Sequence, residues 1–196
     1  DMISPWTVGR YSNQSGIDGW KNSQLVPDLA TCKTNGVDYM PVIWPGFSWK
    51  NIHDGPLNQI KRDGGNYFWR QAYNAIDAGA EFIYVAMFDE VDEGTAMFKM
   101  AENTSQVPVE IQNRIVTLDA DGYDLPSDWY LSLAGEAQKM LDGSISLTST
   151  IPITPYEGRF RETISTCEIK ADWRSDNRLT VNSSVQKRGT GCLQSI

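Results

Sequence analysis

The sequence is poor in the residues on which several common kinds of active site depend. It has one histidine, His53, and three cysteines, Cys32, Cys167 and Cys192, among 196 residues. A single histidine argues against a zinc site with several histidine ligands and against a Ser-His-Asp triad. The cysteines lack metal-ligand spacing. Cys167 and Cys192 are candidates for a disulfide, whereas Cys32, in a predicted helix, is interpreted as a small buried side chain.

Positive charge and long apolar segments are also scarce. The 17 Lys and Arg residues are outnumbered by 25 Asp and Glu residues, which gives a formal net charge of −8. Because no basic cluster marks a phosphate-binding surface, we expect no nucleic-acid partner. No stretch approaches the roughly 20 apolar residues of a transmembrane helix, so we expect no membrane partner either. The chain opens directly on an apolar run, and we therefore expect it to be a processed product or a fragment.

Four continuous apolar runs alternate with segments of helical periodicity. The runs are residues 2–8, 37–43, 82–88 and 114–118. Helices are predicted at 23–35, 67–78 and 127–141, with a shorter one near 95–101. Runs that are apolar throughout, rather than alternating, are typical of parallel strands buried on both faces.

Four strand–helix units predict an α/β fold, and we interpret residues 1–150 as the C-terminal half of a TIM-type (β/α)8 barrel. An open doubly wound sheet is the alternative architecture. A half-barrel leaves edge strands unpaired, so a missing N-terminal half, a second copy of the chain or the tail is expected to cover them. The tail, 151–196, is polar and is predicted to be irregular or β-rich, with no assigned role.

The third apolar run ends in four carboxylates within five positions: Asp89, Glu90, Asp92 and Glu93. Crowded like charges and partial burial raise the pKa of at least one such group. Glycoside cleavage needs this separation, because one acid protonates the leaving oxygen while its neighbour stays ionised. We therefore predict Glu90 and Glu93 as catalytic residues, with Gly94 permitting a sharp turn after them. A solvated acidic loop or a cation site remains the alternative.

Aromatic and polar residues follow the other predicted strands, at the end of the sheet where the carboxylates lie. Aromatic rings and short polar groups around paired carboxylates are typical of a sugar cleft. The run from Asp119 to Asp124 resembles part of a calcium loop but lacks its distal glutamate. Gly64-Gly65 lacks the context of a phosphate loop. We therefore expect neither a metal nor a cofactor.

Three segments resemble the glycoside hydrolase family 71/99-like group, in particular the family 99 endo-α-mannosidases. They are Trp44-Pro-Gly-Phe-Ser-Trp-Lys-Asn51, Arg62-Asp-Gly-Gly-Asn-Tyr-Phe-Trp69 and Phe88-Asp-Glu-Val-Asp-Glu-Gly-Thr95. The last is similar to the family's Asn-Glu-x-x-Glu-Gly-Thr motif, with Asp89 in place of Asn and Val91 in place of an aromatic residue. Phe47 stands where a tyrosine is usual. The resemblance covers about residues 1–150.

The resemblance implies a (β/α)8 barrel that cleaves α-mannosidic linkages with retention and without a metal. It implies that Glu93 is the general acid/base and that Glu90 is the base for the substrate's own 2-hydroxyl. We expect carbohydrate contacts from the following residues: Arg10, Trp44, Phe47, Trp49, Asn51, Arg62, Asp89 and Tyr123. A secreted location, extracellular or periplasmic, is also expected. The alternative hypothesis is a non-catalytic carbohydrate-binding or structural protein derived from such an enzyme.

Overall fold

The structure is a computed structural model, and it describes residues 1–109, 114–156, 179–182 and 192–195. The chain divides into two compact units, Asp1–Pro155 and Tyr156–Ile196. In the second unit, the strands Leu179–Asn182 and Cys192–Ser195 pair antiparallel. The predicted pairing of Cys167 with Cys192 concerns side chains outside the described part of the chain.

Short parallel strands form two two-stranded sheets in the first unit. Strand β1 (Met2–Ile3) pairs with β2 (Asp38–Tyr39), and β3 (Val42–Ile43) pairs with β4 (Tyr84–Val85). Strands β2 and β3 belong to one apolar run that is interrupted at Met40-Pro41. Pro41 has no N–H to donate, but its carbonyl accepts from the Tyr84 N–H at 2.9 Å. The three apolar runs therefore lie side by side in chain order.

The fourth predicted strand is wrong, and a closed barrel is not visible among the described residues. Residues 114–117 form no strand, and Leu118–Asp121 is a 3-10 turn. The backbone N–H groups of Leu118 and Asp119 instead donate to the carbonyls of Ala101 and Glu102, at 3.0 Å each. The short helix predicted near 95–101 is also wrong. That segment pairs with the end of the preceding run, with Met97 donating to the Phe88 carbonyl at 3.0 Å.

The main helices occur where periodicity predicts them, except for one start. Helices α1 (Gln14–Trp20) and α2 (Val26–Thr34) are continuous through a π-helical turn, so this helix begins nine residues before the predicted position 23. The side chain of Asn13 caps it by accepting from the Gly16 N–H at 2.9 Å. A short α3 is Lys50–His53, α4 is Asn66–Asp77 and α5 is Trp129–Leu141. None of the described helices is long and apolar enough to cross a membrane.

Helices α4 and α5 supply the largest apolar cluster, which also includes Ile43 of β3. Phe68 and Leu133 have no exposed surface, and Trp69 is 1 % exposed. Burial of each such side chain contributes about 1.5–3 kcal/mol before entropy is counted. A bidentate ion pair between Arg70 of α4 and Asp18 of α1, at 2.7 and 2.8 Å, connects these two helices.

Several large side chains of the apolar runs remain exposed. They are Met2, Ile3, Trp6, Phe82, Tyr84 and Phe88. The ring centroids of Trp6 and Tyr84 lie 6.3 Å apart, so side chains of the first and third runs meet on this exposed surface. Ile83 and Val85, which alternate with Phe82 and Tyr84, instead pack against the cluster of α4 and α5.

Candidate functional site

The four carboxylates lie in a tight loop that follows β4, and we call residues 89–95 the acidic loop. Its ends are joined by a hydrogen bond from the Thr95 N–H to the Glu90 carbonyl at 3.1 Å. Inside it, the Glu90 Oε1 atom accepts from the Asp92 N–H at 3.0 Å, and Gly94 donates to the Val91 carbonyl at 3.2 Å. Gly94 has φ of 69°, a conformation that strongly favours glycine. The sharp turn expected at Gly94 is therefore present.

The segment after β3 holds the acidic loop from one side. The Ser48 N–H donates to the Glu93 carbonyl at 2.7 Å, and Ser48 is completely buried. A Cβ atom added at Gly94 would lie 3.3 Å from the Ser48 Cβ, so the two chains are in close contact. The Asn51 Nδ2 donates to the Asp92 carbonyl at 3.0 Å and to the Arg114 carbonyl at 2.9 Å. The side chain of Asn51 thus joins the acidic loop to residue 114.

Arg62 contacts the acidic loop from the interior. Its Nη2 donates to the carbonyls of Gly94 and Ala96 at 2.8 and 2.9 Å, and its guanidinium carbon lies 4.6 Å from the ring centroid of Tyr130. Only 3 % of Arg62 is exposed. In this conformation the guanidinium binds the backbone that follows Glu93, and the side chain is too deeply buried to contact a substrate.

The electrostatics of the loop distinguish Glu93. Its side chain is half-buried, and this burial raises its pKa above the ordinary glutamate value; the charge of Glu90 raises it further. Desolvation disfavours the ionised form, and a second carboxylate nearby disfavours it again. Asp89, by contrast, is exposed to solvent. Both causes favour the protonated form of Glu93 relative to an isolated glutamate.

The aromatic residues predicted at this end of the sheet differ in accessibility. Trp44 is completely buried and Phe47 is 4 % exposed, so both belong to the core in this conformation. Trp49 is half-buried and lies with its ring centroid 4.6 Å from Phe47 and 5.1 Å from His53. Of these rings, the part of Trp49 and His53 that faces solvent is available to a ligand.

Two further predicted residues make their contacts elsewhere. Arg10 is exposed, and its guanidinium lies 5.1 Å from the ring centroid of Trp20. Tyr123 is 40 % exposed; its hydroxyl donates to the Asp63 Oδ1 atom at 2.8 Å. Hydrogen bonds thus connect Asn51 and Arg62 to the acidic loop, whereas Arg10 and Tyr123 make their contacts on other loops.

Sequence reasoning missed two residues that organise the site. Ser48 lies inside the segment from Trp44 to Asn51, but nothing in its type indicates that its backbone supports Glu93. Asp121 accepts from the Asn58 side chain at 2.7 Å and from the Asp63 N–H at 3.0 Å. It therefore fixes the segment that carries Arg62. The sequence signal for Asp121 was the incomplete calcium-like pattern, and here its carboxylate binds protein groups.

Comparison with known proteins finds a likeness of fold. The structure of the GH99 endo-α-mannosidase from Bacteroides thetaiotaomicron is 21% identical, with a TM-score of 0.55 over 74% of this chain and 39% of that chain. The structure of the same enzyme in complex with BIS-TRIS-propane is 19% identical, with a TM-score of 0.50 over 67% of this chain and 37% of that chain. No family model and no curated protein matches the sequence.

The three sequence segments predicted a relationship to the family 99 enzymes, and the comparison confirms this relationship at the level of the fold. The structural neighbours are TIM-barrel enzymes, and this chain spans less than two fifths of their length.

Proposed function

We propose that the chain carries the two working carboxylates of a retaining glycoside hydrolase that acts on α-mannosidic or related linkages in glycans or polysaccharides. The observation that carries the proposal is Glu93, a half-buried carboxyl whose pKa is raised by burial and by Glu90, in a loop whose backbone is fixed on two sides. Glycoside cleavage requires one protonated and one ionised carboxyl group in the same cleft.

In the proposed reaction, Glu93 donates its proton to the glycosidic oxygen as the bond from that oxygen to C1 breaks. Glu90 removes the proton of the sugar's 2-hydroxyl, and the 2-oxygen attacks C1 to give an epoxide-like intermediate. Glu93, now ionised, then takes a proton from water as that water attacks C1, the bond from C1 to the 2-oxygen breaks, and Glu90 returns its proton to the 2-oxygen. Two inversions at C1 give net retention, and both carboxyl groups end in their starting states.

On the substrate side, the proposal assigns sugar contacts to the accessible residues of the strand-end loops. Trp49 supplies an apolar ring face, which suits the carbon side of a sugar ring. Asp89, Arg10 and Tyr123 supply exposed polar groups for hydroxyls. Trp44, Phe47 and Arg62 support this surface from the interior, since they are buried.

The test is hydrolysis of α-linked mannan and of aryl α-mannosides by the whole chain, with product anomers followed by NMR. Glu93→Gln should abolish turnover while calorimetry shows that mannoside binding is retained. Glu81→Gln, which removes an exposed carboxylate from the opposite end of β4, is the matched control and should leave turnover unchanged. Equal turnover by wild type and Glu93→Gln would contradict the assignment.

A second candidate is a carbohydrate-binding protein without turnover. It needs only the accessible ring of Trp49 and the exposed polar groups of Asp89, Arg10 and Tyr123, and does not depend on the raised pKa of Glu93. A second polypeptide that completes the barrel would reconcile the two candidates. Mannoside binding without product from the isolated chain would favour the second candidate.

A further inference from the structure

Arg62 is a buried cation with an unusual set of partners. Its Nη2 bridges the carbonyls of Gly94 and Ala96, which flank the completely buried Thr95. Its Nε and Nη1 have no hydrogen-bond partner among the described residues, and no carboxylate there forms an ion pair with it. Burial lowers the pKa of the Arg62 guanidinium, and the neighbouring Tyr130 and the charge of Asp121 offset this only in part, so its position beneath the acidic loop is costly.

The bridged carbonyls are directly connected to both catalytic candidates. Gly94 directly follows Glu93 in the chain, and Arg62 donates to the Gly94 carbonyl. Thr95, held between the two bridged carbonyls, donates its N–H to the Glu90 carbonyl at 3.1 Å. A shift of the guanidinium would therefore move the backbone on which both glutamates depend.

The surroundings of Arg62 fix its side chain in this position. Phe47 and Ile60 exchange two backbone hydrogen bonds of 2.9 Å, which places the Arg62 segment alongside the segment that contains Ser48. A Cβ atom at Gly46 would lie 2.7 Å from the Arg62 Cγ and 2.8 Å from the Ile60 carbonyl. Glycine at position 46 thus leaves the space through which the arginine stem passes.

We infer that Arg62 is a positioning residue that holds the acidic loop in its working geometry through the carbonyls of Gly94 and Ala96. Ser48 donates to the Glu93 carbonyl from the neighbouring segment, and Arg62 donates to the carbonyls of Gly94 and Ala96 from the interior. The catalytic consequence of this role rests on the proposed function, but the effect on the loop does not.

The experiment compares Arg62→Met and Arg62→Lys with wild type by amide hydrogen exchange of the whole chain, read on peptides that cover residues 88–98. Arg62→Met should speed exchange there about tenfold or more relative to peptides from α5, because it removes both anchoring hydrogen bonds. Arg62→Lys keeps a cation and should give a smaller increase. Arg70→Met, which removes an arginine from the α1–α4 contact, is the matched control and should not single out residues 88–98.

Exchange in 88–98 that is no faster in Arg62→Met than in Arg70→Met, or an increase spread evenly over the chain, would overturn the inference. If Arg62→Met does not fold, Arg62→Lys decides by the same comparison. The turnover assay provides an independent reading: Arg62→Lys should lower kcat about tenfold with KM within about twofold. If Arg62→Met speeds exchange in residues 88–98 but the wild-type chain hydrolyses no mannoside, the proposed function is refuted and the positioning role of Arg62 stands.

Discussion

The two sides of the parallel strands differ sharply in what covers them. On one side, Ile43, Ile83 and Val85 pack against α4 and α5. The side chains that alternate with the last two, Phe82 and Tyr84, are 41 % and 37 % exposed, and Trp6 beside Tyr84 is 58 % exposed. The third apolar run is therefore covered on only one face, whereas Val42 and Ile43 of the second run are both buried. The helix side therefore supplies the burial of this run, while Phe82, Tyr84 and the neighbouring Trp6 stay exposed on the other side.

The acidic loop depends on the covered side. Ser48, Arg62 and Thr95, which fix its backbone, are all buried. The carboxyl groups themselves lie toward solvent, with Glu93 half-buried and Asp89 exposed. The chain thus combines a buried support with an accessible acidic edge, as the proposed function requires.

The largest expected effect is on the covered side. Phe68→Ala removes a completely buried ring from the cluster of α4 and α5 and should lower the free energy of unfolding by about 3–5 kcal/mol. Urea unfolding followed by circular dichroism measures it. A loss below about 1 kcal/mol would mean that this side is not the main core.

A smaller change in the free energy of unfolding is expected at the ion pair that connects α4 to α1. Arg70→Met removes the bidentate partner of Asp18 and should cost about 1 kcal/mol at pH 7, since the pair is partly exposed. The hydrogen bond from Arg70 is the main cause that lowers the pKa of Asp18. The stabilisation is therefore present above the unfolded pKa of about 3.9 and is lost as pH falls through the lower folded value. Unfolding of both proteins between pH 7 and about pH 3 should show the difference shrinking; a constant or growing difference would contradict this cause.

The smallest effect is expected on the exposed side. Phe88 is 64 % exposed, and Phe88→Ala should change the free energy of unfolding by less than about 1 kcal/mol. It is the counterpart of Phe68→Ala, because the same ring is removed from the opposite kind of surface. A cost that rises with protein concentration would instead show that this surface is covered by a second copy in solution, which analytical ultracentrifugation would verify.

Sequence periodicity was sufficient for α4 and α5, because each combines a strong apolar stripe with a clear end. It failed for residues 114–118, since an apolar run does not reveal that its backbone groups pair with Ala101 and Glu102 instead of a strand. The sharp turn in the acidic loop was predictable because a glycine follows the carboxylates, and Gly94 has the positive φ that such a turn favours. The catalytic role of Glu90 and Glu93 stays a prediction. The burial of Trp44 and Arg62 was not predictable, because their residue types are common both in sugar clefts and beneath them.

The most direct test is a carbon-13 NMR titration of the glutamate carboxyl groups, with Glu93 assigned by the signal that Glu93→Gln removes. The account predicts that Glu93 titrates above its ordinary value of 4.5 and that Glu90→Gln moves its pKa downward, because one of the two causes is the charge of Glu90. A Glu93 signal that titrates at the ordinary value and does not respond to Glu90→Gln would contradict the account.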